Sequence, residues 1–205
     1  MRRKEFEMKE QQEIASFLQE MSFGFLGSNG TNGWPQITPV NFVYHKEAIY
    51  FHGSRIGQKM KDMAGDTRVT FSVAKEYAII PSYFTDPKMA CPASAFFKSV
   101  LIYGHASVLE DEAEKAEVLS VFMKKLQPEG GYEPITHEDE QYLKMLRAVA
   151  VVKISVEEMT AKFKFGQNLN EDRYEKIADG LTERGAEFDQ ETVELMKKYC
   201  PMHRD

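Results

Sequence analysis

Cysteine is scarce: among 205 residues only Cys91 and Cys200 occur, and one widely separated pair in a chain of this length is not a disulfide framework. Both read as free thiols. No apolar run approaches membrane-spanning length, and the basic start MRRK is followed by glutamates rather than by the apolar core of a signal peptide. The expectation is a soluble cytoplasmic protein with no membrane partner. Positive charge is in deficit, 26 Lys and Arg against 32 Asp and Glu, and no basic face carries interleaved aromatics, so nucleic acid is not an expected partner. Cys200-Pro-Met-His203 offers two candidate ligands, too few for a zinc site, and no metal is expected. The Gly-x-x-x-x-Gly-Lys loop followed by Ser or Thr is also missing. There is no internal repeat and no low-complexity linker.

What is there suffices for a sizeable core. Hydrophobic residues make up 42% of the chain, which fits a single domain over residues 1–205 with a helical C-terminal extension from about residue 170. Ile14, Phe17, Leu18 and Met21 recur at helical spacing, predicting an amphipathic helix over about 8–21. Strands are predicted at FGFLGS (23–28) and PQITPVNFVYH (35–45), joined by NGTNG, whose Asn-Gly steps supply the positive φ of tight hairpins. A second hairpin turns at Lys46-Glu47 into AIYFH. Ile56, Met60 and Met63 then mark a short helix ending near Gly65.

RVTFSVA (68–74) and EYAII (76–80) read as two strands, followed by a proline-rich loop from Pro81 to Ala95 and the long strand FFKSVLIYGHASVL. Val100, Ile102, Ala106 and Val108 share one face of it. Ser99, Leu101, Tyr103 and His105 share the other, which suits a ligand or partner. Asp111 is the expected N-cap of a helix to about Leu126, and Thr136-His-Glu-Asp139 has the form of a capping box opening another. AVAVVKISV (148–156) is a further strand, and two charged helical patterns flank Gly185. The expected fold is mainly β (α+β): a six- to seven-stranded antiparallel Greek-key split barrel with peripheral helices.

The segment FHGSRIGQK (51–59) crowds cationic and neutral donors around two glycines. Lys59 and Arg55 are charged donors, Ser54 and Gln58 are neutral ones, and Gly53 and Gly57 allow close backbone approach. A helix starting near Ile56 adds free N–H groups, so the segment reads as a phosphate site. The plainer alternative is a solvated surface helix. Tyr83, Phe84, Phe96 and Phe97 flank the proline-rich loop, where they cover a planar ligand or simply pack.

With those motifs in order, "PQITPVNFVYH…AIYFHGSRIGQKMKDM…RVTFSVA", "FFKSVLIYGHASVL" and "AVVKISVEEMTAKFKFGQNL", the chain resembles the pyridoxamine 5′-phosphate oxidase-like FMN-binding split-barrel family, with the nitroimidazole-resistance reductase-like branch nearest. The resemblance runs from about residue 2 to 180. It implies an FMN-dependent oxidoreductase that acts on a small-molecule substrate, draws hydride from a reduced nicotinamide, and is a homodimer with flavin at the interface. It also implies that Thr38, Pro39, Val40 and Asn41 run along the isoalloxazine edge, that Phe51 and His52 line the flavin, and that Ser54, Gln58 and Lys59 belong to the cofactor site, Gln58 and Lys59 holding the phosphate. Ser99 adds a polar contact. His52 is the candidate catalytic proton carrier; its alternative role is packing against the ring. His105 reads as an interface or core residue. Lys98 and Ser99 stand where true oxidases of pyridoxamine phosphate carry arginine and glutamine, which argues against vitamin B6 oxidase activity. The rival reading is a flavin- or heme-binding sensor without turnover.

Overall fold

Alternating and helical apolar spacing lays down most of the elements in the computed structural model, which describes residues 3–200. A two-residue strand β1 (Glu7–Met8) precedes helix α1 (Gln11–Glu20), which buries Ile14, Phe17 and Leu18. The helix begins later than its spacing predicts because Met8 is paired with Ala161 in the sheet. Strands β2 (Phe23–Asn29) and β3 (Pro35–Asn41) form the expected hairpin, with Gly33 at φ +83°. The strand predicted over 35–45 is broken at Phe42. That ring is fully buried, its N–H donates to the Ser22 carbonyl (3.1 Å), and β4 (Val43–His45) resumes beyond it. Lys46 and Glu47 both take positive φ, 46° and 59°, the conformation a two-residue hairpin demands before β5 (Ala48–Ser54).

Helix α2 (Gln58–Gly65) leads to β6 (Arg68–Ile80), a single strand where two are predicted. Lys75 does not break it, because its ammonium lies over the rings of Tyr77 (4.5 Å) and Phe188 (4.9 Å). Strand β7 (Ser94–Val108) alternates as expected, with Val100 and Ile102 buried and Tyr103 and His105 exposed; His105 is therefore not a core residue. Helix α3 (Glu112–Leu126) is capped by Asp111, whose side chain accepts from the Glu114 N–H. Helix α4 (Glu140–Ala148) is capped by Asp139 rather than Thr136. The Asp139 carboxylate accepts from the N–H groups of Gln141 and Tyr142, whereas Thr136 Oγ1 accepts only from Glu138 N. Strand β8 (Val149–Lys164) outruns its prediction, and α5 (Glu171–Arg184) and α6 (Asp189–Tyr199) turn at Gly185, φ +60°.

The eight strands form one sheet in the order β3-β2-β6-β7-β8-β5-β4, with β1 added to β8. Pairings β2–β3, β2–β6, β4–β5 and β5–β8 are antiparallel. This is the expected mainly antiparallel split-barrel architecture with helices around it. Of the eight strands only β1 lies outside the predicted ones, too short to show a period in sequence; β3 and β4 divide one predicted strand and β6 joins two.

The chain divides into two compact units. Among the described residues, the first holds 3–10, Ala74–Val100 and 160–200; the second holds Gln11–Val73 and Leu101–Met159. In the first, Phe163, Phe165, Ile80, Leu181 and Met196 make the buried centre. There the buried Asp189 carboxylate receives Arg184 Nε (2.8 Å), Arg184 Nη2 (2.5 Å) and the Ala186 N–H (2.8 Å), while Arg184 Nη1 donates to the Ile79 carbonyl (2.8 Å). In the second, Ile49, Phe51, Ile102, Val151 and Ile154 are sealed from water, and Phe42 meets Phe71 edge-on at 5.1 Å.

Strand β3 ends the sheet order, so one of its margins has no strand partner. Pro35 and Pro39 carry no N–H, and the Phe42 N–H points toward the β2 side, so residues 35, 37, 39 and 41 direct their main-chain groups outward. That margin offers four carbonyls against two N–H groups.

Candidate functional site

The donor-rich segment closes β5 and opens α2 in the second unit. Gly57 precedes α2 with no side chain capping the helix, and the first intrahelical bond runs from Lys61 N to Gly57 O (3.2 Å). The leading N–H groups of α2 are therefore left for another acceptor. Lys59 sits in that first turn. Its Nζ hangs 3.2 Å from where a Cβ on Gly53 would stand and 5.8 Å from the centre of the Phe51 ring. Among the described residues it has no carboxylate partner. Ser54 Oγ accepts from the Ile56 N–H (3.2 Å), which leaves its own O–H to donate.

Two other members of the segment are committed elsewhere. Arg55 Nη1 donates to the Arg147 carbonyl (3.2 Å), and its Nη2 stands 4.0 Å from Glu110. Gln58 Nε2 donates to Asp62 Oδ1 (2.7 Å) and to Thr31 Oγ1 (3.0 Å). Asp62, which sequence reasoning missed, is buried; its Oδ1 also accepts from the Thr31 N–H (3.0 Å), and its Oδ2 has no partner among the described residues. The Thr31 and Gln58 bonds hold its carboxyl below the usual carboxylate range. Asp62 thus ties the start of α2 to the β2–β3 turn. Its signal in the sequence was only an acid four residues after Gln58, on the same helix face.

The remaining predicted residues are spread along neighbouring elements. Val40 is buried, Thr38 is half-buried, and Pro39 and Asn41 are exposed on β3, with Asn41 Nδ2 donating to the Ser22 carbonyl (3.1 Å). β3 packs against β5. Phe51 is fully enclosed and presents no surface to a ligand. His52 projects to the opposite face, edge-on to Phe122 at 5.0 Å, and burial followed by the nearby Lys59 charge lowers its pKa below the ordinary value. Ser99 lies half-buried on β7 in the first unit. Of the Cys200-Pro-Met-His203 pair, Cys200 is buried and His203 lies outside the described residues.

Two of the second unit's open cavities are of similar size. One of about 460 Å³ borders β2, β3, β6 and β7 and is lined by Ile37, Arg68, Tyr103, Gly104 and Glu157, with the buried Ser28 hydroxyl lacking a partner among the described residues. The other, about 440 Å³, is lined by Arg55, Met60, Met63, Val108 and Val152. Gly104 is required beside the first: a Cβ there would lie 2.2 Å from the Ser155 carbonyl. His105 Nδ1 stands 3.1 Å from Thr67 Oγ1 and its Nε2 3.4 Å from the Glu157 carboxylate, an exposed polar chain.

Eight mainly antiparallel strands with helices around them define a split-barrel α+β protein. A family model described as pyridoxamine 5′-phosphate oxidase matches residues 10–163, and the chain belongs to that family. Among solved structures, the FAD and heme binding protein of Mycobacterium smegmatis is 17% identical over 85% of this chain and 80% of its own, with a TM-score of 0.63. The flavocytochrome of Azotobacter vinelandii is 26% identical over 80% and 72%, with a TM-score of 0.62. A protein from Bacteroides thetaiotaomicron titled for 5-nitroimidazole antibiotic resistance is 22% identical over 76% and 85%, with a TM-score of 0.61. Comparison with curated proteins gave no match. No helix among the described residues is long and apolar enough to cross a membrane.

Proposed function

We propose that the protein is an FMN-dependent oxidoreductase whose second unit grips the flavin phosphate with Lys59, Ser54 and the open first turn of α2. The observation that carries this reading is the Lys59 ammonium, held without a carboxylate beside a helix start that no side chain caps. An anion there gains a charge-assisted contact and satisfies otherwise idle N–H groups. Gln58 contributes its main-chain N–H, since its amide is spent on Asp62 and Thr31. The outward carbonyls of β3 between Thr38 and Asn41 suit the polar edge of a ring system that carries an N–H.

FMN, when bound, supplies hydride and electron transfer; the chain supplies position and proton management. His52 is neutral near pH 7 because its pKa is lowered, so it is available to accept a proton rather than to add a cation. A reduced nicotinamide is the proposed donor and a small nitro or quinone compound the acceptor, the latter supported by the fold shared with the Bacteroides protein. A homodimer is part of this reading: Phe23, Phe25 and Ile37 stand 47%, 49% and 73% exposed on one face of the β2–β3 hairpin, an apolar surface suited to a second copy.

Titration of FMN into the flavin-free protein tests the site. Lys59→Ala removes a charged hydrogen bond of about 1.5–3 kcal/mol and weakens binding by about 10- to 150-fold; unchanged affinity removes the assignment. The second reading, a flavin- or heme-binding module without turnover, is supported by the flavocytochrome and the FAD and heme binding protein. A Soret band in the purified protein, or flavin that neither reduced nicotinamide bleaches, would favour it.

A further inference from the structure

The first unit contains a cleft of about 470 Å³ that the flavin reading does not use. Four cationic side chains line it: Arg3, Lys162, Lys164 and Arg173. Among the described residues no carboxylate lines it. Lys162 and Lys164 alternate on one face of β8, while Arg173 enters from the first turn of α5. The walls mix polar and apolar groups. Lys162 Nζ lies 5.5 Å over the Phe6 ring and 5.2 Å over the Phe97 ring, and Pro92, Asn168 and Leu169 also line the cleft.

Each cation has at most a partial neutraliser. Arg3 stands 3.8 Å from Glu5, outside the cleft lining. Arg173 is near Asp86, whose carboxylate already accepts the N–H groups of Lys88 and Met89. Lys164 donates to the Ser94 hydroxyl, a neutral partner. Burial, then the charges of Lys162 and Arg3, pushes the Lys164 pKa down, as crowded like charges require. Unrelieved repulsion in a partly desolvated cleft is a standing cost to the fold, and an anion entering it lowers that cost.

We propose that this cleft binds a small organic anion, with a carboxylate or phosphate head among Lys162, Lys164 and Arg173 and an apolar body against Phe97 and Leu169. The volume falls within the range of small-molecule sites. This site shares no residue with the flavin phosphate group around Lys59, and it stands or falls separately.

The test uses three probes with one apolar body: 1-naphthoate, 1-naphthyl phosphate and uncharged 1-naphthol. Calorimetric titration of the full chain at low salt is expected to show at least one anion binding at least tenfold tighter than the naphthol, and the tighter of the two identifies the head. Lys164→Gln and Arg173→Ala each weaken that anion at least tenfold. Cys91 lines the same cleft and is exposed, whereas Cys200 is buried, so iodoacetamide labelling of Cys91 reports occupancy without any variant. The bound anion slows that labelling in the wild type and equally in Lys59→Ala, which isolates the cleft from the flavin group. Equal binding of all three probes, no binding of either anion, or anion binding that leaves Cys91 labelling unchanged would overturn the proposal.

Discussion

Asp189→Ala is expected to be among the most damaging single changes in the first unit. The carboxylate is 1% exposed and accepts two bonds from Arg184 and one from the Ala186 main chain, so it locks α5 to α6 around the Gly185 turn. Its removal strands the Arg184 guanidinium, which is also bonded to the Ile79 carbonyl and stacked 5.6 Å from the Phe84 ring. Breaking a buried pair from one side costs about 3–5 kcal/mol. The Arg184 side chain keeps 29% exposure, so water softens the loss toward the lower end, about 3 kcal/mol. For a chain of this size that corresponds to a fall in Tm of about 6–12 °C, measured by thermal unfolding at pH 7.

The same pair fixes a pH signature. Arg184, then the Ala186 N–H, holds the folded Asp189 pKa below its unfolded value, against the opposing effect of burial. As pH falls, the unfolded chain takes up the proton first, so the stabilisation is complete above the unfolded value of about 3.9 and is lost as pH drops through the lower folded value. The stability gap between wild type and Asp189→Ala therefore narrows below about pH 4. A Tm change under about 2 °C at pH 7, or a gap indifferent to acid, would refute the buried-pair argument.

Three further outcomes follow from the second unit. Gly104→Ala should cost at least about 1–3 kcal/mol in urea unfolding, since a Cβ meets the Ser155 carbonyl at 2.2 Å and backbone yields poorly; near-wild-type stability would show that β7 and β8 can separate there. Asp62→Ala should lose about 1–3 kcal/mol and speed amide exchange at Thr31, whose N–H it accepts; unaltered exchange would mean that the turn is held by other contacts. Lys59→Ala should raise the His52 pKa, because the lysine charge is one of the two causes of its depression; an unmoved NMR titration would assign the whole shift to burial.

Local chemistry was legible in the sequence where its partners are local. The β2–β3 hairpin, the Lys46-Glu47 turn, the Asp111 cap and the inward alternation of Val100 and Ile102 each depend on residues a few positions apart. Strand β8 was read short because Glu157 and Glu158 interrupt its apolar pattern, although Ala161 and Phe163 resume the buried face. Within the donor segment, residue types alone could not sort free groups from committed ones. Arg55 is claimed by a carbonyl 92 positions away and Gln58 by a threonine 27 away, distances over which sequence spacing carries no geometry. Lys59 stood out in both views because Gly53 clears space for its amine.

The outward margin of β3 bears on how the molecule keeps to itself in a crowded solution. Adding a foreign strand requires an alternating supply of hydrogen donors and acceptors, and prolines 35 and 39 have deleted half of the donors at that border. At the far side of the sheet order, β4 is only three residues long. Accretion into fibrils is thus disfavoured at both ends of the sheet path, while a molecule rich in hydrogen donors and smaller than a polypeptide can still dock along the carbonyl-rich border.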